Sequence, residues 1–481
     1  KHLYTSNILS MPDKWEYPWF AAWDLAFHTL PLARLDPDFA KRQLMVILRE
    51  YYMHPNGQIP AYEWSFSDVN PPVHAWATWK VYEIDKEANG GVGDTVFLER
   101  IFHKLLLNFT WWVNLKDENG NNIFGGGFLG MDNIGVFDRS YDLPTGGHLE
   151  QADGTGWMAM YCLNMLRISC EISLKNPVYQ DMASKFFEHF LHISGAMQSL
   201  GDNKVSLWDE DDAFYYDMLH KPNGDAELLK IRSMVGLIPL FAVEVLTPDL
   251  LEKLPLFKRR VEWVLKNRPD LASLVSSWYT SGEGETRLLS TLRGHRMRMI
   301  IKQMFDEDEF LSDFGVRSLS KYHKENPYKF KHDGGIIQVD YTPAEATGDM
   351  FGGNSNWRGP IWFPMNYLIL DSLEKFHNYY GKDFKVEFPT NSGNEMNLKK
   401  ASEGVAKRLL DLFIPGEDKK IPMYGEYEKF QKDTLFNKNH LFFEYFDGDT
   451  GKGLGANHQT GWTGLIAEII WHLNKEEDKE E

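Results

Sequence analysis

The sequence predicts an all-α protein in which helices pair into an inner and an outer ring. Apolar residues recur at helical spacing, as at Leu44, Ile47 and Leu48. Strand patterns are few: Lys204–Met218 has the composition of a hairpin, and Gly335–Tyr341 alternates weakly. Many amphipathic helices joined by long aromatic-rich loops, with few paired strands, are typical of a helical toroid.

Helical patterns recur along most of the chain. The predicted helices lie near 44–51, 71–86, 101–113, 156–171, 178–199, 228–246, 288–305, 358–380, 398–413 and 460–474. Two stretches, about 200–225 and 267–345, break this pattern and carry charge clusters, so we expect them to be insertions in a single domain spanning 1–481. Because the first residue is Lys rather than Met, N-terminal residues are expected to be missing.

Composition excludes several classes of partner. The net charge of −18 argues against nucleic-acid binding, which needs a surplus of Lys and Arg. No apolar run reaches 18 residues and no secretory signal is evident, so no membrane association is expected. The two cysteines, Cys162 and Cys170, fall in an apolar helical stretch, which predicts free thiols in the reducing cytoplasm.

Two acid-bearing loops are the main candidates for chemistry. Asp132 follows a glycine-rich run, Gly125–Gly130, and Glu444 lies between aromatic residues in the sequence Phe-Phe-Glu-Tyr-Phe. Glycines permit close approach to a ligand, and aromatic side chains offer sugar-stacking faces. A pair of carboxyl groups is what glycoside hydrolysis requires. The alternative for Asp132 is a structural Asx turn, and nearby Asp138 and Arg139 are expected to pair with each other.

An aromatic run precedes Asp24, with Tyr17 and Trp23 among its members. We interpret it as a sugar-binding wall, and a structural, buried Asp24 is the alternative. Because Asp24 opens a helix, the helix dipole is expected to keep it ionised as an acceptor for sugar hydroxyls.

Further residues are candidates for substrate binding. Gln58 and Glu63 lie in a polar turn and could meet sugar hydroxyls, or simply form the turn. Two tryptophans bracket an arginine before a predicted helix, which suggests a stacking plane with a hydroxyl donor. The remaining candidates belong to this motif and to the loop after Glu444: Trp357, Arg358, Trp362, Gln459 and Trp462.

The sequence has no phosphate-binding glycine loop, no zinc motif and no Gly-x-Ser-x-Gly elbow. These absences narrow the field, and hydrolysis of a carbohydrate substrate by two carboxyl groups requires neither a metal nor an organic cofactor, with a structural calcium left open. The oligomeric state is left open.

With these motifs in order along nearly the whole chain, the sequence resembles glycoside hydrolase family 63, especially the bacterial branch of mannosylglycerate and glucosylglycerate hydrolases. It is more distantly similar to family 37 trehalases. The matching motifs are Tyr17–Asp24, Gly130–Asn133, Trp357–Trp362 and Glu444–Trp462.

The resemblance implies an (α/α)6 barrel and an inverting glycosidase. It implies that Asp132 is the general acid and Glu444 the general base. By the same correspondence, Tyr17, Asp24, Trp357 and Gln459 line the sugar subsite.

The expected activity is exo-acting hydrolysis of an α-glucoside or α-mannoside. The expected substrate is a small glycoside, such as glucosylglycerate or mannosylglycerate, or a short oligosaccharide. The alternatives are a glycoside phosphorylase on the same barrel and a non-catalytic sugar-binding protein. Which sugar and which linkage the protein recognises stays open.

Overall fold

The structure is a computed structural model. It describes residues 7–115, 122–198, 206–272, 278, 280–292, 294–332, 334–348, 350, 355–436, 438–457 and 461–480.

The described chain is mostly helical. Its α-helices are α1 (Ala22–Leu35), α2 (Pro37–Ile47), α3 (His74–Ala88), α4 (Thr95–Val113), α5 (Ala152–Ser173), α6 (Gln180–Gln198), α7 (Pro248–Lys253), α8 (Pro255–Asn267), α9 (Pro269–Ala272), α10 (Gly294–Met304), α11 (Phe363–Tyr380), α12 (Leu398–Asp411), α13 (Glu428–Lys432) and α14 (Ile466–Glu480).

Several short antiparallel sheets lie in the segments that connect the helices. The strands are β1 (His148–Glu150), β2 (Trp208–Asp209), β3 (Phe214–Tyr215), β4 (Asp217–His220), β5 (Ala226–Leu229), β6 (Val243–Leu246), β7 (Arg287–Ser290), β8 (Leu311–Ser312), β9 (Gly315–Val316), β10 (Tyr328–His332), β11 (Gly335–Val339), β12 (Lys385–Glu387), β13 (Glu395–Asn397), β14 (Tyr445–Phe446) and β15 (Gly453–Leu454). One sheet has three strands in the order β1-β4-β5, and the other strands form two-stranded pairs.

Local sequence explains where several helices begin. The side chains of Asp36, Asp94 and Asn397 precede α2, α4 and α12, and each accepts a hydrogen bond from a backbone N–H of the first turn. Helix α5 is buried on nearly every side, as expected of a helix that is apolar around its circumference. It packs against α6, α4 and α3, while α1 packs against α2 and α3.

Most of the predicted helices are confirmed, but the one expected over 228–246 is wrong. This stretch contains the end of β5, two short 3-10 turns and β6, which pairs with β7. Gly236 and Pro239 interrupt helical hydrogen bonding there. The β-branched Val243 and Val245 then favour a strand. The predicted hairpin is present as the β2–β3 pair, and the alternating stretch from Gly335 forms β11.

Nearly all buried apolar side chains belong to one contiguous cluster. A smaller cluster lies near the β1-β4-β5 sheet and the β10–β11 pair, and includes Val136, Phe137, Leu219, Leu229, Phe330 and Val339. The single-domain organisation and the two insertions remain predictions.

Two further findings concern the predicted compartment. Cys162 and Cys170 are both buried as free thiols in α5. In the described part of the chain, every helix is too short or too polar to span a bilayer. The cytoplasmic location itself stays a prediction.

Candidate active site

A cavity of about 240 Å³ opens beside the N-terminus of α1. Its walls come from the segment before α1, the first turn of α1, the loop at 61–70, the loop that precedes β1, and the segments before α11, β14 and α14. Its lining residues are Pro12, Tyr17, Trp19, Ala21, Trp23, Asp24, Ala61, Tyr62, Asn70, Phe128, Gly130, Asp132, Ser355, Trp357, Glu444 and Trp462.

The loop that carries Asp132 is anchored to the start of α5. The Gln151 side chain accepts hydrogen bonds from the backbone N–H groups of Gly126 and Gly127 at 2.7 and 2.8 Å. Gly130 has a φ of +72°, and a Cβ there would lie 2.7 Å from the Trp23 ring. A glycine at 130 thus lets the loop pass close against the aromatic wall.

A second anchor joins this loop to the segment before α11. Asn133 Oδ1 accepts from the Trp357 N–H at 2.7 Å, and its Nδ2 donates to Asn356 Oδ1 at 3.0 Å. The Arg358 guanidinium donates to the carbonyls of Asn133 and Gly135 at 2.7 and 2.9 Å. Because Asn133 directly follows Asp132, these bonds fix the position of Asp132 relative to Trp357.

Glu444 lies just before β14 and is only 4% exposed. Its Oε2 accepts from the Ala456 N–H at 3.0 Å, while its own N–H donates to the Ala456 carbonyl at 2.8 Å. The Trp462 indole donates to the Glu444 carbonyl at 3.0 Å. Glu444 lines the cavity, and the described residues include no salt-bridge partner for its carboxyl group.

Burial raises the pKa of all three carboxyl groups in the cavity. It raises the pKa of Asp132 to about 7, although a hydrogen bond from Ser355 acts in the opposite direction. It raises the pKa of Asp24 to about 7, with a further rise from the charge of Asp132. Burial also raises the pKa of Glu444 well above its usual range, with smaller contributions from the charges of Asp132 and Asp24. A carboxyl group whose pKa lies near 7, such as that of Asp132, keeps its proton in a large fraction of molecules at neutral pH and can act as a donor.

Burial therefore opposes the expected ionisation of Asp24 near neutral pH. Asp24 does lie in the first turn of α1, where the helix dipole favours a negative charge. However, its side chain is almost completely buried, and loss of hydration outweighs the dipole.

The structure brings together most of the candidate residues. Tyr17, Trp23, Asp24, Trp357 and Trp462 line the same cavity as Asp132 and Glu444. Trp23 packs face to face with Trp357, with centroids 6.0 Å apart, and edge-on to Trp462 at 5.7 Å. Gln459 lies outside the described residues.

Four candidates lie off the cavity wall. Gln58 donates to the Phe66 carbonyl at 2.9 Å and forms part of its own turn, and Glu63 is exposed. The Arg358 guanidinium binds the backbone carbonyls of the loop that carries Asp132, as described above. Trp362 stacks behind Trp357 at 4.1 Å, with the rings within 2° of parallel, so it supports the wall from the core side.

Arg139 does not pair with its neighbour Asp138. It forms a buried salt bridge with Asp153 of α5 at 2.8 Å, while Asp138 accepts a hydrogen bond from the Ser140 N–H. Because consecutive side chains in a turn diverge, Arg139 reaches the helix that packs against the loop instead.

The sequence patterns missed several wall residues, namely Trp19, Tyr62, Asn70, Phe128 and Ser355. Trp19 and Tyr62 stand within motifs already singled out, so their aromatic character was a usable signal. Asn70 donates to the Ala61 carbonyl at 2.8 Å, a contact that no local sequence pattern predicts.

A known family model covers most of the segments that line the cavity. The model for mannosylglycerate hydrolase MGH1-like glycoside hydrolase domains matches residues 17–145 and 288–463, which include Asp132 and Glu444. The chain belongs to this glycoside hydrolase family. The resemblance to family 63 is thereby confirmed.

The chain is also similar to individual proteins and solved structures. The uncharacterized protein YMR196W of Saccharomyces cerevisiae is 54% identical over 98% of the chain, and the chain spans only 44% of its length. The mannosyl-oligosaccharide glucosidase of the same yeast is 26% identical over 36% of the chain and 15% of its own length. A crystal structure of the family 63 mannosylglycerate hydrolase from Thermus thermophilus with glucose has a TM-score of 0.52 at 15% identity, covering 96% of this chain and 95% of that one. This last likeness concerns the fold alone.

Proposed function

We propose that the chain is an inverting, exo-acting glycosidase built on an (α/α)6 barrel, and that it hydrolyses α-glucosides or α-mannosides. The single observation that carries the proposal is that Asp132 and Glu444, far apart in the sequence, line one aromatic cavity. An inverting glycosidase needs a protonated and an ionised carboxyl group on opposite sides of the glycosidic bond, about 6.5–9.5 Å apart.

In this mechanism Asp132 donates its proton to the glycosidic oxygen as the bond to the anomeric carbon breaks. Glu444 accepts a proton from the water that attacks the opposite face of that carbon, and the released sugar has the inverted configuration. Burial keeps the Asp132 proton in place near neutral pH. Burial is the main cause of the raised pKa of Glu444, and the charge of Asp132 adds to it, so a neutral Asp132 lowers the pKa of the base. The Ala456 N–H stabilises the ionised form of Glu444.

The electrostatics of the cavity favour an uncharged aglycone. Three carboxyl groups line it, and the described lining contains no Lys or Arg. A glycerate carboxylate would therefore enter without a counter-ion, at considerable cost. Tyr62, on the cavity wall, presents an exposed aromatic ring on which a further sugar could stack. A short neutral oligosaccharide fits these features better than mannosylglycerate or glucosylglycerate, and the yeast relative that is a mannosyl-oligosaccharide glucosidase supports this choice.

The rival phosphorylase reaction needs a cationic pocket for phosphate. The absence of Lys and Arg from the described lining weighs against it.

The test is proton NMR of the anomeric signals during incubation with α-linked glucose and mannose oligosaccharides, glucosylglycerate and mannosylglycerate. We expect early release of the β-anomer from a neutral α-glycoside. Asp132→Asn and Glu444→Gln should each slow hydrolysis by about 100-fold or more, while Glu63→Gln, at an exposed position off the wall, should keep the wild-type rate. Turnover that requires phosphate and survives Glu444→Gln would instead identify a phosphorylase. Sugar binding without hydrolysis, unchanged in both acid variants, would identify a binding protein.

A further inference from the structure

A cluster of three potential metal ligands lies away from the cavity, on the β1-β4-β5 sheet. It consists of His148 and Glu150 of β1 and His220 of β4, and we call it the His–Glu–His cluster. One ligand atom from each residue lies within 4.8 Å of those from the other two. His148 and His220 are direct partners in the antiparallel register, and Glu150 follows on the same face of β1.

The contacts within the cluster hold its donor atoms within 4.8 Å of one another. Glu150 Oε2 lies 2.9 Å from His220 Nε2, and the two imidazole rings stack at 4.7 Å within 7° of parallel. Glu150 is only 6% exposed, whereas His148 is open to solvent. Lys221, the cation next in sequence to His220, is paired with Glu227 at 2.9 Å. Among the described residues, His220 is thus the only group that pairs with the buried Glu150 carboxylate.

We propose that the His–Glu–His cluster binds a divalent transition-metal ion of the zinc type. Two imidazoles and a carboxylate are a common zinc donor set, with water completing the coordination. Metal–ligand bonds of about 2.0–2.2 Å place the donors of a tetrahedral site roughly 3.3–3.5 Å apart. The Glu150–His220 pair must open from 2.9 Å by a few tenths of an ångström, and the exposed His148 ring must turn inward by up to about 1.5 Å. A doubly charged ion would also neutralise the buried carboxylate more fully than an imidazole does.

This site is separate from the proposed catalytic cavity and from the family pattern. None of its residues lines the cavity, and all three lie between the two segments that match the family model. Its expected effect is structural, because the ion would tie β1 to β4. The residue after Glu150 is Gln151, whose side chain anchors the loop that carries Asp132.

Isothermal titration of the untagged chain with zinc chloride tests the proposal. We expect one zinc ion per chain and a rise in Tm upon binding. His148→Ala and His220→Gln should each weaken zinc binding by more than about tenfold and abolish the Tm rise. The amide of His220→Gln can still donate a hydrogen bond to Glu150, so that variant removes the metal ligand while keeping the strand pair. His192→Ala, at an exposed position on α6, is the matched control and should bind zinc like the wild type.

Copper titration adds a readout that depends on the ligands themselves. The electron paramagnetic resonance spectrum of the Cu²⁺ form should show hyperfine coupling to imidazole nitrogen in the wild type and in His192→Ala, with the coupling reduced in the other two variants. Equal zinc affinity in all four proteins would overturn the proposal, as would a folded wild-type chain that binds no zinc.

Discussion

At the scale of single residues, burial rather than ion pairing governs the chemistry of Asp132. The carboxyl group is held among aromatic rings and glycines, and loss of hydration is the main cause of its raised pKa. A group whose pKa is higher in the folded than in the unfolded chain destabilises the folded state as pH rises, because the unfolded chain then releases its proton more readily. The property that makes Asp132 a proton donor therefore costs stability at neutral and alkaline pH.

We accordingly expect Asp132→Asn to be more stable than the wild type at pH 8. A rise in pKa from the ordinary value of 3.8 to about 7 corresponds to up to roughly 4 kcal/mol in the free energy of unfolding. The gain should be smallest near pH 4, grow up to about pH 7 and level off above it. Urea unfolding of both proteins between pH 4 and pH 8 measures this difference. An Asp132→Asn protein that is less stable at pH 8 would show that the carboxylate is stabilised by a partner rather than strained by burial.

At the scale of elements, loops with demanding backbone geometry position both acids. The segment after β15 comes back against Glu444, and Gly455 has a φ of +67° there. A Cβ at Gly455 would lie 2.4 Å from Glu444 Oε2 and 2.8 Å from the Tyr445 ring. The glycine thus leaves room for the proposed base, in addition to permitting the left-handed backbone.

We expect Gly455→Ala to lower kcat/KM by up to about 100-fold, because the added methyl group displaces the Glu444 carboxyl. Gly393→Ala is the matched control: its φ is +75°, and no atom lies within 4 Å of the added Cβ. Both variants bear the same backbone strain, so only the first should lose activity by more than about twofold. Steady-state kinetics of both variants, with the far-UV circular dichroism spectrum as a check of folding, distinguishes crowding of Glu444 from backbone strain. Equal losses would mean that backbone strain, and not crowding of Glu444, is responsible.

At the scale of the whole molecule, one stack of aromatic rings joins the cavity to the core. Trp362 stacks on Trp357 at 4.1 Å and on Tyr445 at 4.7 Å, and Trp23 and Trp462 pack around them. These residues come from α1, the segment before α11, β14 and the turn before α14. The stack therefore connects the two ends of the chain behind the proposed sugar subsite.

This arrangement separates stability from substrate binding. Trp362→Phe should lower the free energy of unfolding by about 1–3 kcal/mol, since it shrinks the stack and leaves the Asn356 carbonyl without its indole donor. Its KM should stay within about twofold of the wild type. Trp19→Ala, on the half-buried wall of the cavity, should instead raise KM by roughly tenfold with little effect on stability. Denaturant unfolding and steady-state kinetics on both variants test the pair, and a raised KM in Trp362→Phe would place that ring in contact with the substrate after all.

Elements that depend on interactions between residues close in sequence were predicted more accurately than elements that depend on distant residues. Helix periodicity and capping depend on neighbours within one or two turns, so α3–α6 and α11–α12 were predicted close to where they lie. The stretch 228–246 contains enough apolar residues for a helix. Its strand β6 becomes stable only by pairing with β7, more than 40 residues further on.

The sequence by itself determined the helical character of the protein, the two acids with their aromatic and glycine neighbours, and the family to which the chain belongs. These properties reside in residue type, local periodicity and motif order. Only the tertiary structure decided which side chains share the cavity, that Arg139 pairs with Asp153, that Trp362 and Arg358 lie behind the wall, and that His148, Glu150 and His220 come together. Each of these depends on the packing of elements or loops against one another, and such side-chain contacts carry no signal in the local sequence.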